Sequence, residues 1–209
     1  MPDDHHMTNR PAAHSCAPGG EPDGAAGRQV AAATELVLPA IALPSRRVLD
    51  LAGEEKLRQL VRRQYALLMA SPILDLYTDN PWAFAKLAEK VADFVVESCG
   101  GAAAYSAQNG STCMRTRHFA VTIDEAARET WLAALFRAME EVDFPAAVRA
   151  EYWNWLEAFS VRLINRRTMK AQPARISFAA AQQRFGRHSG EGLPCGQHST
   201  SAPKPKAER

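Results

Sequence analysis

Apolar side chains recur every three or four residues along four stretches in the middle of the chain, as they do on one face of an α-helix. The first stretch begins after Gly53 and is interrupted at Ser71-Pro72. The second begins at Pro81, since proline suits the first turn of a helix, and ends at Gly100-Gly101. The apolar positions of these two predicted helices are Leu57, Leu60, Val61, Tyr65, Leu68, Phe84, Leu87, Val91, Phe94 and Val95.

Two more helices are predicted after an irregular stretch, 102–121, in which Asn109-Gly110 indicates a turn. Thr122 and Glu125 have the spacing of a capping box and predict the start of the third helix. Pro145 predicts the start of the fourth. The apolar stripes of these helices are Trp131, Leu132, Leu135, Met139 and Val142, then Val148, Tyr152, Trp155, Leu156, Phe159 and Leu163. No segment alternates with a period of two, so we predict an all-α domain.

The two ends of the chain lack this periodicity. Residues 1–45 carry six prolines, and residues 170–209 are dominated by Ser, Gly, Pro, Gln and Lys. Such segments bury too little apolar surface to offset the entropy lost on ordering. We therefore predict a disordered N-terminal extension over 1–45, a folded domain over 46–169, and a disordered basic tail over 170–209.

Charge follows the same division. The predicted domain holds 16 basic and 16 acidic side chains, whereas the C-terminal tail holds seven basic and two acidic ones. The tail's cations are scattered and have no aromatic residues between them, which favours a solubilising tail over a nucleic-acid or membrane site. The first twenty residues contain acids and no apolar run, and the apolar stretch 31–44 is shorter than the roughly 20 residues that span a bilayer. We expect a cytoplasmic protein with four free cysteines.

His118 is the only one of the six histidines that falls in the predicted domain. A structural zinc site takes about four N or S ligands, and the domain offers only Cys99, Cys113 and His118. A Glu-x-x-His di-iron motif is absent, and a Cys113–His118 nucleophile pair lacks an evident orienting group. Haem, in contrast, can be held by one protein nitrogen, with the opposite face of the iron open to a gas. On the residues alone, an ordinary surface or core histidine remains the commoner explanation.

A series of short motifs changes that balance. Gly100-Gly101 is followed by Tyr105, then by the run 114–118, which reads Met-Arg-Thr-Arg-His, and then by Phe119, Ile123 and Trp131-Leu132; Gln64-Tyr65 precedes the series, and the run 159–167 ends it. In this order and spacing, residues 46–169 resemble the truncated haemoglobin family, and most of all its group II. The resemblance implies a two-over-two helical sandwich around haem b. Two departures from the family pattern are Ala102, where proline is usual, and Gly110-Ser111-Thr112, where Gly-His-Pro is usual.

The resemblance also implies a role for each matching residue. His118 would be the proximal ligand of the iron, with its second ring nitrogen held by a hydrogen bond. Arg117 would bind a haem propionate. Tyr65 and Trp131 would donate hydrogen bonds to a gas on the opposite side of the haem.

The remaining positions implied by the resemblance complete the predicted cofactor site. Leu87 stands where the family usually has a distal histidine, and Tyr77 would be a third polar group. The other predicted haem contacts are Val91, Phe94, Tyr105, Met114, Phe119, Ile123 and Leu135.

Three functions remain open from the sequence. The first is binding of oxygen, or of other diatomic gases such as NO and CO, for storage or sensing by a monomer or homodimer. The second is an enzyme for nitric oxide detoxification or peroxidase-like chemistry. That enzyme would need an external reductase, because the chain has no GxGxxG nucleotide-binding fingerprint. The third is a helical interaction module without haem.

Overall fold

The four predicted apolar stripes form the four long helices of the structure. The computed structural model describes residues 36–186, and within that range every regular element is helical. The elements are α1 (Arg46–Ala52), α2 (Glu54–Met69), a 3₁₀ turn (Leu74–Leu76), α3 (Pro81–Ser98), α4 (Ala104–Asn109), α5 (Met114–Arg117), α6 (Glu125–Glu141), α7 (Ala146–Leu163) and α8 (Phe178–Phe185). The prediction of an all-α domain is confirmed. The stretch predicted as irregular holds the short helices α4 and α5.

The boundaries of α3 follow from local chemistry. The Asn80 side chain accepts hydrogen bonds from the backbone N–H groups of Trp82 (3.0 Å) and Ala83 (3.1 Å), which caps the helix ahead of Pro81. At the other end, Gly100 adopts a φ of +87°, a left-handed conformation that favours glycine. A Cβ on Gly101 would lie 2.5 Å from Val96 Cγ1, so this position has no room for a side chain. The glycine pair therefore ends α3, as predicted.

The predicted start of α6 is wrong. Asp124, and not Thr122, caps the helix, accepting a hydrogen bond of 2.8 Å from the N–H of Ala127. Glu125 instead binds the segment after α7, through Arg167 (2.7 Å) and the Thr168 hydroxyl (2.6 Å). Burial alone would raise the pKa of Glu125, but these hydrogen bonds lower it to about 2. Because the Glu125 carboxylate binds Arg167 and Thr168, it does not form the capping box that the sequence predicted.

The long helices pack in two layers. α2 lies against α3 and α6, and α6 lies against α7, while α1 packs on α2 and α7. Fully buried side chains from α2, α6 and α7 form the centre of the core: Leu57, Leu60, Leu68, Leu132, Leu135, Met139, Val148 and Trp153. This arrangement is the two-over-two helical sandwich that the sequence predicted. The short α5 lies against α7.

The structure extends beyond the predicted domain at both ends. Residue Ser45 donates its N–H to Glu151 (2.6 Å), and the Pro39 carbonyl accepts from Arg162 (3.1 Å). The boundary predicted at 169 is wrong for residues 170–186, because α8 packs on the domain. Phe178 and Phe185 of α8 lie about 6 Å from the rings of two core residues, Phe136 and Trp153. Eight residues carry too few helical repeats for the pattern to reveal such an element. The predictions for 1–35 and 187–209 lie outside the described residues.

Two further observations concern the cysteines and the membrane. Cys99 is buried and free, as predicted. Cys113 takes part in a disulfide bond, so the expectation of a free thiol is wrong there. Across residues 36–186, none of the helices has the length and apolar character needed to cross a bilayer.

Candidate functional site

A cavity of about 520 Å³ lies between the six helices α2 to α7. Its volume falls within the roughly 300–1,000 Å³ that is usual for small-molecule and cofactor sites. Most of its lining is apolar or aromatic, with a few polar side chains among them. Eleven of the predicted site residues line it: Tyr65, Tyr77, Leu87, Val91, Phe94, Tyr105, Met114, Arg117, His118, Ile123 and Trp131.

Two predicted haem contacts lie outside this lining. Phe119 is 61% exposed and faces an open cleft on the surface, because α5 ends just before it. Leu135 is completely buried in the helix core, one turn beyond Trp131 on α6. Both residues follow the family's order along the chain, but tertiary packing turns them away from the cavity.

His118 stands at the C-terminal end of α5 with its imidazole on the cavity wall. Its Nδ1 atom lies 2.7 Å from the carbonyl oxygen of Met114. Because a carbonyl can only accept, Nδ1 carries a proton, and in the neutral imidazole Nε2 then has the free lone pair. This is the tautomer that a metal-ligating histidine needs, and it is the hydrogen bond that the sequence led us to expect.

The chain that follows His118 is held by one side chain, Asn165, at the end of α7. The Asn165 amide donates to the carbonyl oxygens of His118 (3.0 Å) and Val121 (2.7 Å). Its oxygen accepts from the N–H of Ile123 (2.8 Å). All three hydrogen bonds end on the six residues after α5, so Asn165 holds the segment that begins with His118 from outside the cavity. The sequence showed Asn165 only as part of a family-like ending and gave no sign of this contact.

Aromatic residues from α2, α3 and the turn between them form another part of the wall. The ring of Tyr65 lies 6.0 Å from that of Tyr77 and 5.6 Å from that of Phe84. Burial raises the pKa of Tyr65 and Tyr77 far above the ordinary value for tyrosine, so both phenols stay protonated. Within the described residues, neither the Tyr65 hydroxyl nor the Trp131 indole N–H has a hydrogen-bond acceptor. Both groups are therefore available to donate into the cavity.

Two cations border the cavity. Arg117 donates from Nε (3.2 Å) and Nη2 (3.1 Å) to the carbonyl of Ser111, and also to that of Asn109, so loop carbonyls occupy much of its guanidinium. Lys90 on α3 lines the cavity and has no partner within residues 36–186. Lys90 was not predicted from the sequence. It lies three residues after Leu87 on α3, but a lysine on a helix usually faces solvent.

A buried ion pair forms a further part of the wall. Arg128 of α6 and Glu157 of α7 are 6% and 2% exposed, and they meet at 2.5 Å. Arg128 Nε also donates to Ser160 Oγ at 2.9 Å. Arg128 and Ser160 line the cavity. Charged residues on an amphipathic helix are usually solvated, so the sequence offered no reason to place this pair inside.

The donor set fits a haem. One imidazole presents a free lone pair, protonated phenol and indole groups point into the same space, and two cations could meet propionates. Among residues 36–186, no group of three or more His, Cys, Asp or Glu side chains could hold a metal ion by itself.

Comparison with known families settles the identity. The model of the bacterial-like globin family matches residues 49–165, more than half of the chain. The chain belongs to this family. Globins bind haem and diatomic gases, so this protein is a haem-binding globin.

Known relatives of this globin include group II truncated haemoglobins, which confirms the resemblance found in the sequence. The group 2 truncated hemoglobin YjbI of Bacillus subtilis (strain 168) is 27% identical over 113 residues, covering 54% of this chain and 84% of that protein. The structure of phosphate-bound Hell's gate globin IV is 45% identical, with a TM-score of 0.69, and the match covers 72% of this chain and 94% of that one. The truncated oxygen-avid haemoglobin from Bacillus subtilis is 25% identical, with a TM-score of 0.53 and coverages of 56% and 98%.

Proposed function

We propose that this globin binds oxygen reversibly at a haem b whose iron is ligated by His118, and that it stores or senses the gas. The observation that carries the proposal is the hydrogen bond of 2.7 Å between His118 Nδ1 and the Met114 carbonyl, on the wall of a cavity large enough for a cofactor. That bond leaves Nε2 free to bind iron. Haem b, when bound, supplies an iron atom with one face open to a diatomic gas.

The residues of this chain divide the work of the site. His118 would ligate the iron of the cofactor, and Tyr65 and Trp131 would donate hydrogen bonds to a bound gas. Lys90 and the remaining N–H groups of Arg117 would bind the propionates. Leu87, standing where a polar distal residue is usual, adds no competing hydrogen bond.

The apolar part of the lining keeps water away from the iron. Val91, Phe94 and Ile123 supply that surface. Exclusion of water by this apolar lining would slow the oxidation of ferrous iron. With two donors facing the gas, we expect tight oxygen binding and slow release, which suits storage or sensing better than delivery. A relative of known structure is described as an oxygen-avid haemoglobin, and this likeness supports tight oxygen binding by the present chain.

The decisive test is an absorption spectrum. The full chain, supplied with haem, is expected to give a Soret band with distinct ferric, ferrous and oxygen-equilibrated spectra. His118→Ala should lose or strongly shift that band, since no other histidine lies within residues 36–186. His188→Ala, outside the described residues, is the matched control and should leave the spectra unchanged. A wild-type protein that gives no Soret band, or a His118→Ala variant with normal spectra, would refute the proposal.

Nitric oxide detoxification is the second candidate. It is favoured by a basic surface beside His118, where an electron donor could restore the ferrous iron after each turnover. Protein equilibrated with oxygen is mixed with nitric oxide, and nitrate and the ferric spectrum are measured. Stoichiometric nitrate within one turnover supports the enzyme. A spectrum that does not change on addition of nitric oxide supports storage or sensing. A peroxidase-like activity is tested in the same way, with hydrogen peroxide and a reducing dye.

A further inference from the structure

An open cleft of about 560 Å³ lies on the surface next to His118, and Val121 lines both this cleft and the proposed haem cavity. Three arginines line it, Arg115 from α5 and Arg166 and Arg167 from the segment after α7. Arg167 is paired with Glu125 at 2.7 Å. Arg115 and Arg166 are exposed and have no carboxylate partner within the described part of the chain. Within residues 36–186, the cleft therefore carries positive charge that no acidic side chain compensates at Arg115 and Arg166.

The domain as a whole has no such excess of positive charge. The central part of the chain, 46–169, has equal numbers of acidic and basic side chains. On α2, Arg58, Arg62 and Arg63 all meet carboxylates, and on α6 Arg137 does so too. In the cleft, Arg115 and Arg166 instead face solvent with no carboxylate partner among residues 36–186. An anionic partner is the complement that such a surface attracts from a distance.

Phe119 identifies the kind of partner. It lines the cleft and is 61% exposed, among the largest exposures of any big apolar side chain in the structure. An exposed aromatic ring flanked by arginines is the composition of a protein–protein hot spot. Nucleic acid would need a longer track of cations, and a small phosphate gains nothing from an exposed phenyl ring. A protein surface with acidic side chains around an apolar centre fits both features.

The cleft is also connected to His118. Phe119 is the next residue in the chain, so one peptide bond joins the two. Asn165, which lines the cleft, donates a hydrogen bond of 3.0 Å to the His118 carbonyl. A partner bound in the cleft would therefore contact Phe119, which is joined to His118 by a peptide bond. It would also contact Asn165, which is hydrogen-bonded to the His118 carbonyl.

We propose that this cleft is the docking surface for an acidic electron-donor protein that returns ferric haem iron to the ferrous state. The inference rests on the proposed haem site. In the reaction the donor gives up one electron and is oxidised, the ferric iron gains that electron, and no bond or proton changes place. The donor class we propose is an acidic low-potential flavoprotein, which gives up single electrons and whose charge is complementary to the cleft.

The experiment uses the full haem-loaded chain and a flavodoxin as an acidic one-electron donor. Binding of oxidised flavodoxin is measured by titration calorimetry at two salt concentrations, and reduction by its hydroquinone is followed by stopped flow. Two charges are reversed in Arg115→Glu/Arg166→Glu. The matched control is Arg47→Glu/Lys86→Glu, which makes the same change of net charge at exposed sites away from the cleft.

We expect the cleft variant to raise the Kd and lower the bimolecular reduction rate by about tenfold or more at low salt, and to remove most of the salt dependence. The control should change both by much less. Phe119→Ser should raise the Kd with little change in salt dependence. Equal effects of the cleft and control variants would overturn the proposal. So would binding of inorganic phosphate or a DNA duplex to the cleft without any binding of flavodoxin.

The two proposals can fail separately. The Soret band of each variant reports the haem site, and dithionite, which needs no docking surface, reports whether the iron can be reduced at all. A normal Soret band and normal dithionite reduction with no flavodoxin binding would reject the docking surface alone. Loss of the Soret band in the wild type would reject the haem site.

Discussion

At the scale of single residues, the site depends on which nitrogen of His118 carries its proton. The Met114 carbonyl decides this, since it can only accept a hydrogen bond from Nδ1. Tyr65 and Trp131 complete the proposed site from the opposite side, and both point unpartnered donors into the cavity within the described residues. These positions were predictable because the family pattern is carried by short local motifs. Lys90, Arg128 and Asn165 were not, because an isolated charged or amide side chain on a helix looks the same whether it faces water or a cavity.

Tyr65→Phe should speed the dissociation of oxygen. The variant keeps the ring and its contacts with Tyr77 and Phe84 but removes a donor that faces the gas. A hydrogen bond to a partly charged acceptor contributes about 1.5–3 kcal/mol, which corresponds to a rate increase of roughly tenfold to a hundredfold. The off-rate is measured by stopped flow with a CO replacement. Tyr105→Phe is the control, since that hydroxyl lies 3.7 Å from Met114 Sδ. An off-rate that stays at the wild-type value would remove Tyr65 from the role.

Asn165→Ala should weaken the hold on His118 without touching the cavity. Three hydrogen bonds to the chain after α5 are lost, so the imidazole is free to tilt. We expect a shifted iron–histidine stretching band in the resonance Raman spectrum, and haem loss faster on the order of tenfold. Asn109→Ala, which removes a single hydrogen bond to the Tyr105 carbonyl, is the matched control. Identical Raman bands in Asn165→Ala and the wild type would show that Asn165 does not position His118.

At the scale of secondary-structure elements, the long helices were predictable because each contains several repeats of its apolar stripe. The start of α6 was not, since Glu125 could equally cap its own helix or bind a distant segment, and Arg167 and Thr168 draw it to the second choice. Helix α8 escaped prediction for a related reason. Its eight residues gain their stability from packing on Phe136 and Trp153, which no local pattern records.

The segment before α8 also completes the buried ion pair between α6 and α7. Glu157 accepts hydrogen bonds from Arg128 (2.5 Å), from Arg175 (2.6 Å) and from the N–H of Ile176 (3.0 Å). The indole of Trp153 donates to the Ile176 carbonyl at 2.7 Å. Residues beyond the predicted domain boundary thus hold the charged part of the cavity wall.

Glu157→Ala should destabilise the fold strongly. The substitution leaves the Arg128 guanidinium buried without its carboxylate, a loss of about 3–5 kcal/mol in the free energy of unfolding. Urea unfolding followed by far-UV circular dichroism measures it. Glu129→Ala is the control, because it removes the carboxylate of an exposed pair with Arg184 and should cost no more than about 1 kcal/mol. Comparable losses in the two variants would show that the buried pair is not what joins α6, α7 and the C-terminal segment.

At the scale of the whole molecule, the helices enclose a cavity that the protein alone does not fill. Its walls come from six helices, α2 to α7, and from the 3₁₀ turn between α2 and α3. A ligand that binds only the folded state stabilises it, by about 2.7 kcal/mol at a hundred times its Kd. The stability of this globin should therefore depend on the cofactor.

Haem should raise the Tm of the full chain, and the increase should fall in His118→Ala. Iron-free protoporphyrin IX separates the two contributions, since it fills the cavity but offers no metal to His118 Nε2. We expect it to give a smaller increase that is the same in the wild type and in His118→Ala. Differential scanning calorimetry at matched porphyrin concentrations makes the measurement. A shift with haem no larger than that with protoporphyrin would argue against ligation by His118.

The sequence by itself determined the helical class, the four long helices, the family and His118 as the candidate haem ligand. Each of these depends on residues that are near one another in the chain. Only the tertiary structure decided which of those residues meet in one cavity. In the structure, Phe119 faces outward and Leu135 is buried in the core. Lys90 and Arg128 line the cavity, Asn165 binds the segment after His118, and α8 packs on the domain. The physical reason is that spacing along a helix records which face a residue lies on, whereas the neighbour of that face is set by packing between distant segments.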